Sequence, residues 1–267
     1  MKNVKVLVLS VFVAFAALIV AAPYAHASLD LTTAGSSGFL NDAYFSTTNS
    51  QATGSGVIDS FVRLQTNNAD EQGYNTSGRP LVFDENNSPV FTRDLLLSDV
   101  PVVSLLNQNN QATQYRQFLL DINQQNCGQN KPNCTNKFLS LDSLNIYLGS
   151  TGGLLKSNPD DLGTSVYKLT ADNIKLNYSL NSGSGSGDMF AYIPDAFFTG
   201  SNKYVYLYSK FGEQYANNAG FEEWAVLKGT GTPGNPPPTV TPEPASMVLF
   251  STGLLSGIGA FLRKKQA

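Results

Sequence analysis

The residues that could do chemistry in this 267-residue chain are few, and most of them are carboxylates. Glu222 and Glu223, with Glu213 and Asp188, lie among aromatic residues in a way that suggests sugar chemistry. Glycoside hydrolysis needs two carboxylates about 5 Å apart, or about 6.5–9.5 Å apart, across the scissile bond. Adjacent residues on a strand point to opposite faces, so Glu222 and Glu223 are not themselves such a pair. The sequence names no partner for either, and all four are expected to be solvated or turn-anchoring carboxylates. The catalytic assignment is therefore none. Tyr204, Tyr206 and Tyr208 share one face of an extended segment, with Val205 and Leu207 on the other. A tyrosine row can stack on sugar rings, but a segment apolar on both faces is also what a central, doubly covered strand looks like. Core packing is the expectation for this row and for Trp224. Asp70/Glu71, Asp84/Glu85 and Asp160/Asp161 are acidic pairs beside Asn and Gly. Calcium needs six to eight oxygens, and none of the pairs matches an EF-hand loop or a Gly-Gly-x-Gly-x-Asp repeat. They are read as solvated turns, with no metal site and no cofactor.

Histidine chemistry is excluded by position. His26 is the only histidine. It sits in Ala25-His26-Ala27, the small-x-small pattern that signal peptidases accept before Ser28. Upstream, Lys2 and Lys5 give a positive n-region, and Val6 to Val20 is an uncharged apolar run shorter than the roughly 20 residues a membrane span wants. Residues 1–27 are thus expected to be a cleaved secretion signal. The mature chain then lacks imidazole, the commonest general base and transition-metal ligand. Ser-His-Asp and Cys-His catalysis and histidine-based zinc sites go with it.

Charge points the same way. Without Lys2, Lys5, Arg263, Lys264, Lys265 and Glu243, the 17 basic and 20 acidic residues become 12 and 19, a net of −7. Such a body repels phosphates and has no basic cluster, so nucleic acid is not an expected partner. Cys127 and Cys134 bracket the polar loop Gly128–Asn133 and read as one structural disulfide of an exported protein. They lack the C-x-x-C spacing and the further ligands of a redox or metal dithiol.

The elements that must position these residues are short and extended. Residues 57–64, 79–83, 100–105, 115–122, 144–148, 166–169, 174–178, 189–193, 204–208 and 221–227 are apolar runs separated by turn residues. Leu144/Ile146/Leu148 and Ile174/Leu176/Tyr178 alternate with period 2, the signature of half-buried strands. Many such runs predict a mainly β fold over 28–228, an antiparallel β-sandwich or jelly-roll-like domain. Asn181-Ser-Gly-Ser-Gly-Ser-Gly-Asp188 has neither the spacing nor the βαβ context of a phosphate loop and is expected to be a hairpin connection.

From 229 to 241 the chain is a Gly/Pro/Thr linker that buries no core. Pro242-Glu243-Pro244 follows, then Ala245 to Leu262 without a formal charge, then Arg263-Lys264-Lys265. The apolar run spans about 27 Å as a helix, enough for a bilayer core. The basic cluster after it is a cytoplasmic stop that leaves the body facing outward. Gly253 and Gly257 form a small-xxx-small pair, a spacing that permits close helix packing.

This constellation over 242–267 resembles the PEP-CTERM sorting signal of Gram-negative bacteria. The resemblance implies a substrate of an exosortase-type processing enzyme, acting near the Pro-Glu-Pro, after signal peptidase has acted at the N-terminus. The same tail element is also catalogued as an ice-binding protein C-terminal domain, a label that describes the tail alone. Thr47-Thr48, Thr230, Thr232, Thr239 and Thr241 do not form the flat regular array that ice binding needs. In the body, Phe118–Asn123, Leu139–Leu144, Gly185–Pro194, and Tyr206–Gly212 with Gly220-Phe-Glu-Glu-Trp224 resemble a group of PEP-CTERM proteins of unassigned function. That likeness implies a shared β-rich fold and carries over no catalytic residue. The expected protein is exported and membrane-anchored at least transiently. It has a non-enzymatic structural, adhesive or glycan-contacting role at the cell surface or in the matrix, with extracellular polysaccharide as a partner. The alternative is a secreted carbohydrate-active hydrolase using paired carboxylates.

Overall fold

A computed structural model describes residues 29–48, 58–66, 70–125, 134–169, 173–183 and 187–227. Its strands are β1 (Leu29–Leu31), β2 (Ser37–Leu40), β3 (Ala43–Thr47), β4 (Ile58–Leu64), β5 (Glu71–Tyr74), β6 (Leu95–Leu96) and β7 (Val102–Leu106). They continue with β8 (Ala112–Asp121), β9 (Phe138–Gly149), β10 (Thr164–Lys168), β11 (Ile174–Asn177), β12 (Met189–Pro194), β13 (Tyr204–Phe211) and β14 (Glu222–Leu227). Short 3-10 turns are the helical elements among the described residues, and none of them is long and apolar enough to cross a membrane.

The strands form two sheets. The first runs β1-β11-β9-β13-β5, with β10 also on β9 and β6 on β13. The second runs β2-β3-β12-β8-β14-β4, with β7 also on β8. Every pairing is antiparallel except β1 on β11. The fold is mainly β, as expected, and its two antiparallel-rich sheets are those of a β-sandwich.

Alternation within the strands builds the layers. Val205, Leu207 and Phe211 of β13, Leu144, Ile146 and Leu148 of β9, Phe118 and Leu120 of β8, and Trp224 and Val226 of β14 share one buried core between the sheets. Removing that apolar surface from water is the main driving force of the fold. Trp224 also bridges the layers, its indole Nε1–H donating to Ser209 Oγ of the opposite sheet at 3.1 Å. Each outer face carries an aromatic cluster of its own: Tyr74, Tyr147, Tyr206 and Tyr208 on the first sheet, and Tyr44, Tyr115, Phe190 and Tyr192 on the second.

Two expectations need correction. Residues 79–83 form no strand but part of a loop, because Arg79 turns its guanidinium onto the carbonyls of Thr76, Gly78, Asn87 and Thr92. The 181–188 segment is no hairpin connection, since it joins β11 of the first sheet to β12 of the second. Its ends are pinned separately: Asn181 Nδ2 donates to Thr48 Oγ1 at 2.6 Å, and Asp188 accepts from Ile122 N–H at 2.9 Å.

Candidate functional site

The pleat of β14 separates its two adjacent glutamates. Glu223 points outward, where its Oε2 accepts from Arg63 Nε at 2.6 Å. The Arg63 guanidinium is held 3.4 Å above the Phe91 ring centroid and 3.9 Å from that of Phe221. This is a stacked, neutralised pair on the outer surface. Glu222 points inward, two residues from Trp224, and is fully buried (0% exposed), not solvated.

Glu222 meets Glu71 there. Glu71 opens β5 opposite Phe211 of β13, and Glu222 opens β14 opposite Leu64 of β4, so the contact joins the two sheets at one end of the sandwich. Glu71 is 1% exposed, and its Oε2 accepts from Asn217 Nδ2 at 3.0 Å. Its Oε1 and both oxygens of Glu222 accept no hydrogen bond of ordinary geometry, the N–H groups of Thr66 and Asn123 facing the pair more loosely. Two carboxylates in contact in a closed site cannot both ionise cheaply. A proton shared between them supplies the missing donor, with Glu222 as the acid and Glu71 as the acceptor. Burial pushes Glu222 well above the usual glutamate range, and its bond to Glu71 and that neighbour's charge push further, while the facing Asn123 N–H only eases the shift. Glu71 is also raised, chiefly by burial; the hydrogen bond from Glu222 pulls the other way, and the charge of Asp84 adds to the rise.

The same end of the second sheet holds another buried acid. Asp188 is 5% exposed, and burial raises it well above the aspartate range, with the charge of Asp121 adding to the effect.

None of this is glycosidase geometry. A sugar and, for inversion, a water must fit between the two carboxyl groups. Glu71 and Glu222 are instead in hydrogen-bond contact inside the core. Glu213 lies apart, paired with Lys210 on the surface.

The tyrosine face forms the second candidate. β13 places Tyr204, Tyr206 and Tyr208 on the outer side of the first sheet, but the 75–94 and 150–163 segments cover them. Tyr206 is 0% exposed and Tyr208 8%, so neither ring is free to stack on a sugar, while Tyr204 is half-buried. Each buried hydroxyl has a partner: Tyr206 donates to Thr151 O at 2.8 Å, Tyr208 to Gln72 Oε1 at 2.6 Å and Tyr147 to Asp160 Oδ1 at 2.6 Å. Tyr74 Oη accepts from Lys156 N–H at 2.6 Å.

The acidic pairs of the sequence hold these covers down. Glu85 Oε1 accepts from Tyr74 N–H at 3.0 Å and Oε2 from Phe83 N–H at 2.9 Å. Burial raises Glu85, and those N–H groups oppose the rise. Asp84 Oδ2 accepts from Gln72 N–H at 3.0 Å, and Asp160 also pairs with Lys168 at 2.5 Å. Asp94, which the sequence reading did not single out, ties both covers together through Ser77 N–H and Gly153 N–H. Among the described residues no three His, Cys, Asp or Glu side chains converge as a metal cluster.

A surface pocket of about 500 Å³ is lined by Ser77, Arg79, Pro80, Asn87 and Pro89, a size within the small-ligand range. Cys134 is disulfide-bonded; Cys127, the other cysteine of the chain, lies outside the described residues. So do the processing residues Ala25, Ala27, Ser28, Pro242, Glu243 and Pro244, the 245–262 span, and Arg263, Lys264 and Lys265. No family model matches the chain, and neither a curated protein nor a solved structure gives a significant match.

Proposed function

We propose that the chain is an exported, envelope- or matrix-associated surface protein with a non-enzymatic structural, adhesive or glycan-contacting role, sorted by its C-terminal signal. The observation that carries this reading is the co-occurrence in one sequence of the Lys2/Lys5–Ala27 export pattern and the ordered tail of linker, Pro242-Glu243-Pro244, apolar run and Arg263-Lys264-Lys265. The tail is membrane-anchored at least transiently through 245–262, and the 229–241 linker sets the 28–228 body away from it. Signal peptidase and an exosortase-type enzyme are the processing partners, and extracellular polysaccharide is the partner of the body.

The body's architecture supports a structural role. The side chains that would serve a hydrolase or a sugar-stacking platform are committed elsewhere: Glu222 on Glu71 in the core, Glu223 on Arg63 on the outer face, and Tyr206 and Tyr208 under their covers. For contact with a glycan, the open pocket beside Arg79 offers the Ser77 hydroxyl and the Asn87 amide above proline surfaces.

Mass spectrometry of the mature protein from its native host tests the sorting. The expected termini are Ser28 and a residue near Pro242–Pro244; an intact C-terminus at Ala267 in fully matured protein contradicts it. A glycan array of envelope polysaccharides tests the contact role, with binding weakened by Asn87→Ala as the expected result and flat signals as the contrary one.

A further inference from the structure

We propose that the Glu71–Glu222 contact is a proton-operated latch between the two sheets, closed while one proton is shared and released when that proton is lost. The geometry carries the idea. One carboxyl group comes from each sheet, the two touch at the first residues of β5 and β14, and both are sealed from water. Three of their four oxygens accept no protein hydrogen bond of ordinary geometry. The N–H groups of Thr66 and Asn123 face them more loosely, so a proton between the two carboxyls completes the contact.

Among the described residues no cation stands by to take the proton's place. Facing the pair are Asp84, from the segment hydrogen-bonded to β5, and Asp121, at the end of β8, and both act on it as negative charges. The polar neutral groups around it are Asn217 Nδ2 and the N–H groups of Thr66 and Asn123. Lys210 of β13 pairs in register with Gln72, not Glu71, and reaches Asp70 and Glu213 on the outer side. Arg63 of β4 is committed to Glu223 on the other face of β14. Loss of the shared proton therefore leaves two negative charges in contact in a closed site with no described cation beside it, and that repulsion is relieved by parting the sheets or admitting water.

The topology selects the side that moves. β14 is held between β8 and β4, whereas β5 is the last strand of its sheet and pairs with β13 alone. β5 also anchors part of the tyrosine cover, through Tyr74 N–H on Glu85. Release of Glu71 thus loosens an edge strand and the 75–94 segment behind it. The direction with pH follows from the raised value of Glu222. Its stabilising contribution is complete below the ordinary glutamate range and is lost as pH rises through the raised value.

Trp224 is the only tryptophan of the chain. It is fully buried two residues from Glu222, so its fluorescence reports on the latch. The test follows Trp224 emission and the denaturant midpoint of the full-length chain, in mild detergent, from about pH 5 to about pH 10. The expected result is a falling midpoint and a red-shifting emission as pH rises. Glu222→Gln should reduce the slope of both, leaving only what raised acids such as Asp188 contribute, since its amide still donates to Glu71 and has no proton to lose at these pH values. A flat wild-type profile, or a variant with the wild-type slope, overturns the proposal. So does stabilisation by millimolar calcium that Glu222→Gln removes, which would make the pair a cation site. If Glu222→Gln does not fold, Glu71→Gln takes its place, and a wild-type slope that survives it overturns the proposal.

Discussion

The tyrosine face of the first sheet and the acidic end of the interior are both closed to solvent, yet they are chemically opposite. Under the 75–94 and 150–163 covers, the buried hydroxyls of Tyr74, Tyr147, Tyr206 and Tyr208 all have defined partners, and the buried Glu85 is met by two N–H groups. At the Glu71–Glu222 contact three carboxyl oxygens accept no protein hydrogen bond of ordinary geometry. A buried polar group that is fully hydrogen-bonded costs little and fixes one arrangement. One left short of donors must find a proton or a cation. The first region is therefore a rigid second core, and the second responds to proton concentration.

Substitutions can break this contrast. The largest effect is expected from Trp224→Ala, which empties the centre of the sandwich next to the acidic pair and orphans Ser209. It should cost about 3–5 kcal/mol by chemical denaturation. Tyr206→Phe probes the satisfied region. It removes the donor to Thr151 O and the acceptor of Leu154 N–H, so it should cost about 1–3 kcal/mol. The same loss is expected at every pH from about 5 to about 9, because no carboxylate is altered; a pH-dependent loss would erase the contrast between the regions. Lys168→Ala is the small end of the scale. Its ion pair with Asp160 is solvent-exposed, at 36% and 58%, and stability should change by no more than about 0.5 kcal/mol.

Much of the frame was legible from the residues. The alternating run at 144–148 lies on β9 and most of the one at 174–178 on β11, and the doubly apolar run at 204–208 lies on β13, because period-2 burial is set locally by the pleat. The hairpin of β2 and β3 escaped notice although its cue was present. Leu40 pairs with Ala43, so the loop is Asn41-Asp42 alone, with φ of 48° and 65°. That is the positive-φ turn that asparagine and aspartate tolerate best. β5 was hidden for another reason: Glu-Gln-Gly-Tyr is polar, and it is a strand because β13 offers it an edge, not because of its own pattern.

The candidate site was half legible. Opposite faces for Glu222 and Glu223 follow from strand geometry, and they are found on opposite faces. Their burial does not follow. Glu71 sits 151 positions away in sequence, in a polar strand of the other sheet, and no local pattern announces that the two will meet. Asp84, Glu85 and Asp160 looked like solvated turn residues, and Glu85 is instead a buried anchor. The N–H groups it serves belong to a loop and an edge strand whose approach only the tertiary fold decides.

The central claim is that the interior acid pair carries a proton at neutral pH while the tyrosine face needs none. The most direct measurement is the infrared difference spectrum of wild type minus Glu222→Gln at neutral pH, in the carboxylic-acid C=O region. A protonated-carboxyl band present in wild type and absent in the variant is the predicted result. A spectrum in which the variant loses only carboxylate absorption, with no acid band, would contradict it.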